Sequence, residues 1–302
     1  MLIAAPWAGL GVRTSREPLP SREIEKAVTL PKGWTELDLD LARAGAREAW
    51  GTDGRPIPLP APWRTTRAAA TVRYGLAPRW EVFGTVPLVV AEPDPDGPVQ
   101  MGFSTVEVGS RVALTRSEAP FHSVGVAVVG RMPLGFAGGD LVGGDRVPLT
   151  TGTGDLELQL AARRAWSGIR FELELSAMHR FAGRARWVNE GTGGRVKPGD
   201  RATAGLEVLV QAGPLAFGPA IRSVARAAVR VAEPDGLLVP VQRSGGGSVD
   251  AGGRVLLHLT RGVELEARLH WVLVGEDQDF VRLDELHPAR SRTAALAARV
   301  RW

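Results

Sequence analysis

The chain has 302 residues, 44% of them hydrophobic, with 37 Lys and Arg against 33 Asp and Glu and a formal net charge of +4. It has no cysteine, which excludes a disulfide framework, thiol catalysis and a Cys-ligated metal. It also lacks any run of 18 apolar residues, which excludes a transmembrane helix. The cations are nearly all Arg, and Lys occurs only at Lys26, Lys32 and Lys197. They are spread among apolar residues and do not cluster, which argues against nucleic acid as a partner.

Residues 1–32 come before any strand signal. MLIAAPWAGLGVR has a short apolar run with no basic region ahead of it. A signal-peptide remnant, a misplaced start and an ordinary flexible N-terminus all fit. SREPLPSREIEKAVTLPKG is polar with apolar spots.

From there to the last residue, apolar and polar residues alternate with period two, the mark of β-strands. Twelve strands are predicted, at 33–45, 65–76, 79–90, 103–115, 121–133, 153–165, 169–181, 201–212, 216–231, 252–259, 262–275 and 291–302. The alternation is plainest in DLELQLAARRAW and IRFELELSAMHRF. Leu156, Leu158, Leu160, Ile169, Phe171, Leu173 and Leu175 share one face, and Glu157, Glu172 and Glu174 share the other.

The connections sort by parity. Those after the even-numbered strands are short, such as Ala77-Pro78 and Thr260-Arg261. Those after the odd-numbered ones are long and rich in Gly, Pro and Asp, such as 91–102, 135–151 and 183–200. A soluble sandwich has no reason to sort its loops this way. An up-and-down outer-membrane β-barrel does, with tight periplasmic turns and longer outer loops. The fold class is therefore all-β: residues 33–302 form a transmembrane antiparallel barrel of about twelve strands, with apolar faces toward lipid and polar faces toward a wet lumen. Residues 1–32 then become a lumen plug or a periplasmic tail, the tail being the commoner fate of a terminus.

The aromatics follow the turns. Tyr74, Trp80, Trp166 and Trp302 lie on the apolar parity at the short-turn end, and Phe181 and Trp271 lie near the opposite rim. Rings at these two levels suit the lipid headgroups. The terminal aromatic of AARVRW resembles the signal by which the barrel-assembly machinery takes up a C-terminal strand.

Several segments resemble the outer-membrane family named for the meta-pathway of phenol degradation, a group of transporters. They are LPKGWTELDLDL (30–41), RYGLAPRWEVFGTVPLVV (73–90), VEVGSRVAL (106–114), TGTGDLELQLAARRAWSG (151–168) and the final strand. Where that family carries a Gly-x-Gly-Asp-like entry to the fourth strand, this chain has Gly102-Phe103-Ser104-Thr105. The resemblance implies an outer-membrane barrel of a Gram-negative bacterium passing a small apolar or aromatic solute, and it supplies no catalytic set.

The predicted lumen lining includes Glu157, Glu172, Glu174, Glu207, Glu264, Glu266, Arg268, and Arg222, Arg226 and Arg230 at spacing four. These three arginines fit a basic ladder that steers an anionic solute. They also fit cross-strand ion pairing in a narrow lumen, which is the favoured expectation. The pairs Glu172/Glu174 and Glu264/Glu266 place two carboxylates on one face about 7 Å apart, a spacing that suits acid–base hydrolysis. Alternation alone generates such pairs, so the chain is expected not to be an enzyme. His122, His179, His258, His270 and His287 show no metal-ligand spacing, so no metal and no cofactor is expected. A passive conduit is the leading reading, and a closed structural barrel or a barrel hydrolase are the alternatives. The partners are outer-membrane lipid, the barrel-assembly machinery and the solute.

Overall fold

The computed structural model describes residues 16–20, 22–50, 55–92, 99–118, 121–134, 153–184, 195–232, 237–240, 245–275 and 289–302. A single 3-10 turn, Glu23–Glu25, precedes the strands. In chain order these are β1 (Thr35–Trp50), β2 (Pro56–Ala77), β3 (Trp80–Glu92), β4 (Gln100–Phe103), β5 (Thr105–Glu118), β6 (Phe121–Pro133), β7 (Asp155–Trp166), β8 (Ile169–Arg180), β9 (Gly183–Arg184) and β10 (Arg195–Lys197). They continue with β11 (Arg201–Ala212), β12 (Leu215–Arg226), β13 (Arg230–Ala232), β14 (Leu238–Pro240), β15 (Gly246–Thr260), β16 (Val263–Gly275) and β17 (Ala289–Arg301).

Thirteen of these strands form one antiparallel sheet that closes through β2–β3 and β1–β17. β4 and β5 both pair with β3 and are one stave interrupted at Ser104, so the barrel has twelve staves. At the closure Thr35 and Trp302 exchange backbone hydrogen bonds of 3.0 and 3.1 Å. Closure leaves no strand edge in lipid, where an unpaired peptide group has no water to turn to. β9, β10, β13 and β14 form a separate small sheet at the end away from the short turns. The short hairpins are tight because their residues accept a left-handed backbone: Ser167 and Gly168 have φ of 49° and 87°.

Two Gly- and Pro-rich stretches expected to be loops are strands. Pro56 and Pro58 extend β2 upward by pairing with Trp50 and Glu48 of β1. The β3 pairing stops at Arg64–Glu92, so these prolines sit on an edge, where a missing N–H is tolerated. β15 begins at Gly246, not near 252, because its glycines sit where strands approach closely. A Cβ at Gly252 would lie 2.0 Å from the Leu269 carbonyl oxygen.

The inside–outside split follows the alternation. Leu39, Leu41, Leu158, Leu173, Leu265, Leu269 and Leu296 are exposed on the outer face, and Ala44, Ala127, Val129, Ala161 and Leu256 are buried within. Tyr74, Trp80, Trp166, Phe181, Trp271 and Trp302 are all exposed, Trp166 at 75%. A charge on the outer face therefore meets hydrocarbon. Leu269→Arg, at the middle of β16, is expected to destabilise the folded barrel by about 2–4 kcal/mol. Urea titration of the barrel folded into lipid vesicles measures that loss.

Candidate functional site: the lumen and its floor

Inside, charges pair between residues that face each other across adjacent strands. Glu36 stands opposite Arg301 and Arg73, Asp38 opposite Arg299, Glu107 opposite Arg131, Arg163 opposite Glu172, and Arg222 opposite Asp250. Each of these pairs is closed. Arg301 Nε donates to Glu36 at 2.6 Å, Arg299 Nε to Asp38 at 2.6 Å, Arg163 Nε to Glu172 at 2.8 Å and Arg222 Nε to Asp250 at 2.9 Å. Glu81, fully buried, takes Arg73 at 2.7 Å and Arg111 at 3.2 Å. Arg268 bridges Asp40 and Glu266, Arg131 reaches Glu157, and Arg254 meets Glu207. Directly opposed unlike charges support strand pairing, and a carboxylate taken from water needs such partners.

Of the predicted lumen residues, Glu157, Glu172, Glu174, Glu207, Arg222, Arg226, Glu264, Glu266 and Arg268 lie on the inward parity of barrel strands. Arg230 does not. β12 makes its last pairs at Arg226, with Arg201 and Gly246, and the Ala227 N–H then bonds Asp200. Arg230 belongs to the small rim sheet, so it is not one of the lumen-lining residues and the alternative of a three-arginine ladder loses its third member. Arg222 is ion-paired. Glu172 is held by Arg163 and Arg170, and Glu264 by Arg301, His258 and Lys26, so neither acidic pair is a free carboxylate couple. Among the described residues, Glu174 has no hydrogen bond or ion pair and is exposed to the lumen.

The floor of the lumen is made by the N-terminal segment. The signal-peptide reading of MLIAAPWAGLGVR falls on residues outside those described. Residues 22–32, by contrast, cross the lumen beside the short turns. Ile24 packs against Phe121 and Ala165, and Val28 against Ala113 and Ala161. The Val28 side chain fills a hole between small residues, for a Cβ at Gly125 would lie 2.6 Å from it. The Leu30 N–H donates to Glu81 at 2.7 Å, the Val28 N–H to Ser123 at 3.3 Å and the Ile24 N–H to Gln211 at 3.3 Å. Arg111, Arg163 and Arg170 donate to the carbonyls of Val28, Ala27 and Glu23 at 3.2, 2.8 and 2.9 Å. On the far side the Lys26 ammonium contacts Glu23 and Glu264. Further out, the Trp34 indole donates to the Glu17 carbonyl at 2.6 Å, and the Arg16 guanidinium lies 5.4 Å from its ring centre.

Glu23, His258 and Glu264 bring ligand atoms within 4.8 Å of one another. Lys26 touches both carboxylates, so an ammonium serves this spot as its cation. Burial pushes Lys26 down to about 7, against the opposing pull of Glu23. Burial also penalises the Glu23 carboxylate, but Lys26 and Arg170 outweigh it and hold Glu23 below the usual range. Above the floor lies a cavity of about 620 Å³, bounded by Lys26, Arg67, Arg222, Glu174, Glu207 and Arg268 among others. Sequence reasoning missed Asp250, which fell in a predicted loop; it allowed a lumen plug among residues 1–32, with the tail favoured, but did not single out the floor residues, whose only signal was three apolar spots in a polar stretch.

The hole that receives Val28 offers a direct test. Ala161→Phe fills it and is expected to push the segment out, exposing the bonds after Arg22 and Lys26 to trypsin. The unaltered barrel should resist cleavage there. A second expectation concerns pH. Free lysine titrates near 10.4 and docked Lys26 near 7, so between these values the docked form binds fewer protons. Docking therefore strengthens as pH rises from about 7, and is insensitive to Lys26 below that. Hydrogen exchange of residues 23–30, corrected for intrinsic rates, checks the direction.

No protein-family model matches the chain, and no curated protein does. Among solved structures, it is similar to the COG4313 outer membrane channel from Pseudomonas putida F1, with 14% identity over 95% of this chain and 100% of that one and a TM-score of 0.71. The NanC porin (7% identity, 87% and 98% covered, TM-score 0.49) and a Pseudomonas aeruginosa FadL homologue (9%, 89% and 90%, TM-score 0.43) are more distant. Identities this low speak to the fold. The first of these likenesses, with the twelve closed staves and the apolar outer face, shows that the chain has the fold of an outer-membrane β-barrel.

Proposed function

We propose that the barrel is a passive conduit for a small solute, gated by residues 22–32. The carrying observation is the floor itself: a segment from outside the wall lies across the lumen beside the short turns, beneath a cavity of about 620 Å³. Its terms of attachment are modest. Ile24, Val28 and Leu30 contribute roughly 1.5–3 kcal/mol each by burial. Each hydrogen bond adds about 0.5–3 kcal/mol, the charged ones most. Ordering the segment costs about 1–2 kcal/mol per residue. Residues 22–32 pair with no strand of the wall, so the floor can leave without breaking the wall's backbone ladders.

The resemblance to the phenol meta-pathway family favours an apolar or aromatic solute. The lining adds a condition, because the cavity presents Glu174 and Arg67 alongside ion-paired groups such as Arg222. A small molecule carrying polar or ionised substituents suits that surface better than a bare hydrocarbon. The floor also suits the second reading, a barrel permanently closed for a structural role. The cavity and the marginal attachment favour the conduit.

The absence of cysteine makes a clean lock available. In the double variant Val28→Cys and Ala161→Cys, oxidation is expected to tie the floor to β7. Planar-bilayer recordings should then show conductance steps in the reduced protein that vanish on oxidation. Equal conductance in both states would refute the gate. Silence in both, from protein that still shifts on a gel when boiled, would favour the closed barrel.

A further inference from the structure

The wall holds the floor chiefly by its main chain. Six consecutive staves, β11, β8, β7, β6, β5 and β3, each send one side chain to one backbone group of the segment. Gln211, Ser123 and Glu81 accept from the N–H groups of Ile24, Val28 and Leu30. Arg170, Arg163 and Arg111 donate to the carbonyls of Glu23, Ala27 and Val28. Peptide N–H and C=O groups are the same in every chain, so these six contacts are indifferent to which peptide supplies them. Charge-assisted bonds from three guanidinium groups make the carbonyl half of this grip the stronger one.

Selectivity comes from three further features. Phe121 and Ala165 take the apolar side chain of Ile24, and Ala113, Gly125 and Ala161 take that of Val28 four residues on. Across the lumen, His258 of β15 and Glu264 of β16 face the space filled by the Lys26 ammonium, midway between the two anchors. The cradle is therefore complementary to a short peptide with two apolar residues four apart and a basic residue between them.

We infer that the lumen floor is a peptide-binding site, occupied in cis by residues 22–32 and open to a free peptide of that pattern when the segment swings out. The inference rests on the gate reading and names the class of ligand, short basic peptides, that would displace the gate. A tethered occupant has an effective concentration in the millimolar range, so a free peptide competes poorly until the tether is weakened.

The test uses the full chain in detergent and a fluorescein-labelled peptide, Arg-Glu-Ile-Glu-Lys-Ala-Val-Thr-Leu-Pro-Lys, copied from residues 22–32. Val28→Asp is the variant for peptide binding, and Ala161→Phe, which fills the cradle's own pocket, serves only as a second report of segment release. Gel shift on boiling reports folding, and trypsin cleavage after Arg22 and Lys26 reports release of the segment. Fluorescence anisotropy should show saturable binding to Val28→Asp and binding about 100-fold weaker to the unaltered chain. A scrambled peptide of the same composition should not bind, and the peptide with Glu in place of the Lys that matches Lys26 should bind at least tenfold more weakly. Folded Val28→Asp protein with a released segment but no saturable binding overturns the peptide site and leaves the gate standing. Equal binding of the scrambled peptide overturns it too. A segment that stays protected in both variants overturns gate and peptide site together.

Discussion

A narrow lumen lined by ionic side chains must pair most of the charges it contains, and this constraint organises the rest of the barrel. The strands need polar inward faces because their outward faces belong to lipid, and in this chain the polar residues are largely ionic. Buried charges without partners would cost several kcal/mol each. The chain meets the demand by register. Glu36 with Arg301, Asp38 with Arg299 and Arg163 with Glu172 are opposite one another on neighbouring strands, so pairing the backbones also pairs the charges. A slip of one residue in register would turn every carboxylate to lipid.

That same constraint decides what could be read from the sequence. Lipid outside and water inside impose period two without exception over long stretches, and tight turns need few residues, so strand number, connection parity and the facing of Leu158 or Glu172 were legible. The pairing partners were not, because they depend on the stagger between strands. Asp250 was hidden in SGGGSVDAGG, whose glycines mimic a loop, although a close approach at Gly252 is what requires them. Arg230 continued the spacing of Arg222 and Arg226 in the sequence, yet it lies beyond the last residue that β11 and β15 can pair. The floor was least legible. Ile24, Val28 and Leu30 in a polar stretch look like any terminal tail, and their partners lie about 50 to 190 residues away.

Wall and floor are held by different kinds of contact. The wall's ion pairs join strands already fixed by continuous backbone ladders, so they lose little further freedom on forming. The floor has no ladder. It depends on single side-chain contacts to six staves, two small apolar holes and one ammonium. Local stability follows contact density, and on that ground the first part of the molecule to open is the segment across the lumen.

The choice of cation agrees with this division. The wall uses Arg: Arg73, Arg131, Arg163, Arg299 and Arg301 all hold carboxylates there. Guanidinium stays charged and grips a carboxylate through two donors, as a permanent pair requires. The floor uses Lys26, and elsewhere Lys197 pairs with Asp200 beyond the barrel strands. An ammonium is a single point of charge and lacks the two-donor fork by which a guanidinium grips a carboxylate. A lysine at the centre of the floor can therefore leave its carboxylates at lower cost than an arginine could, which is the chemistry expected of the part that moves.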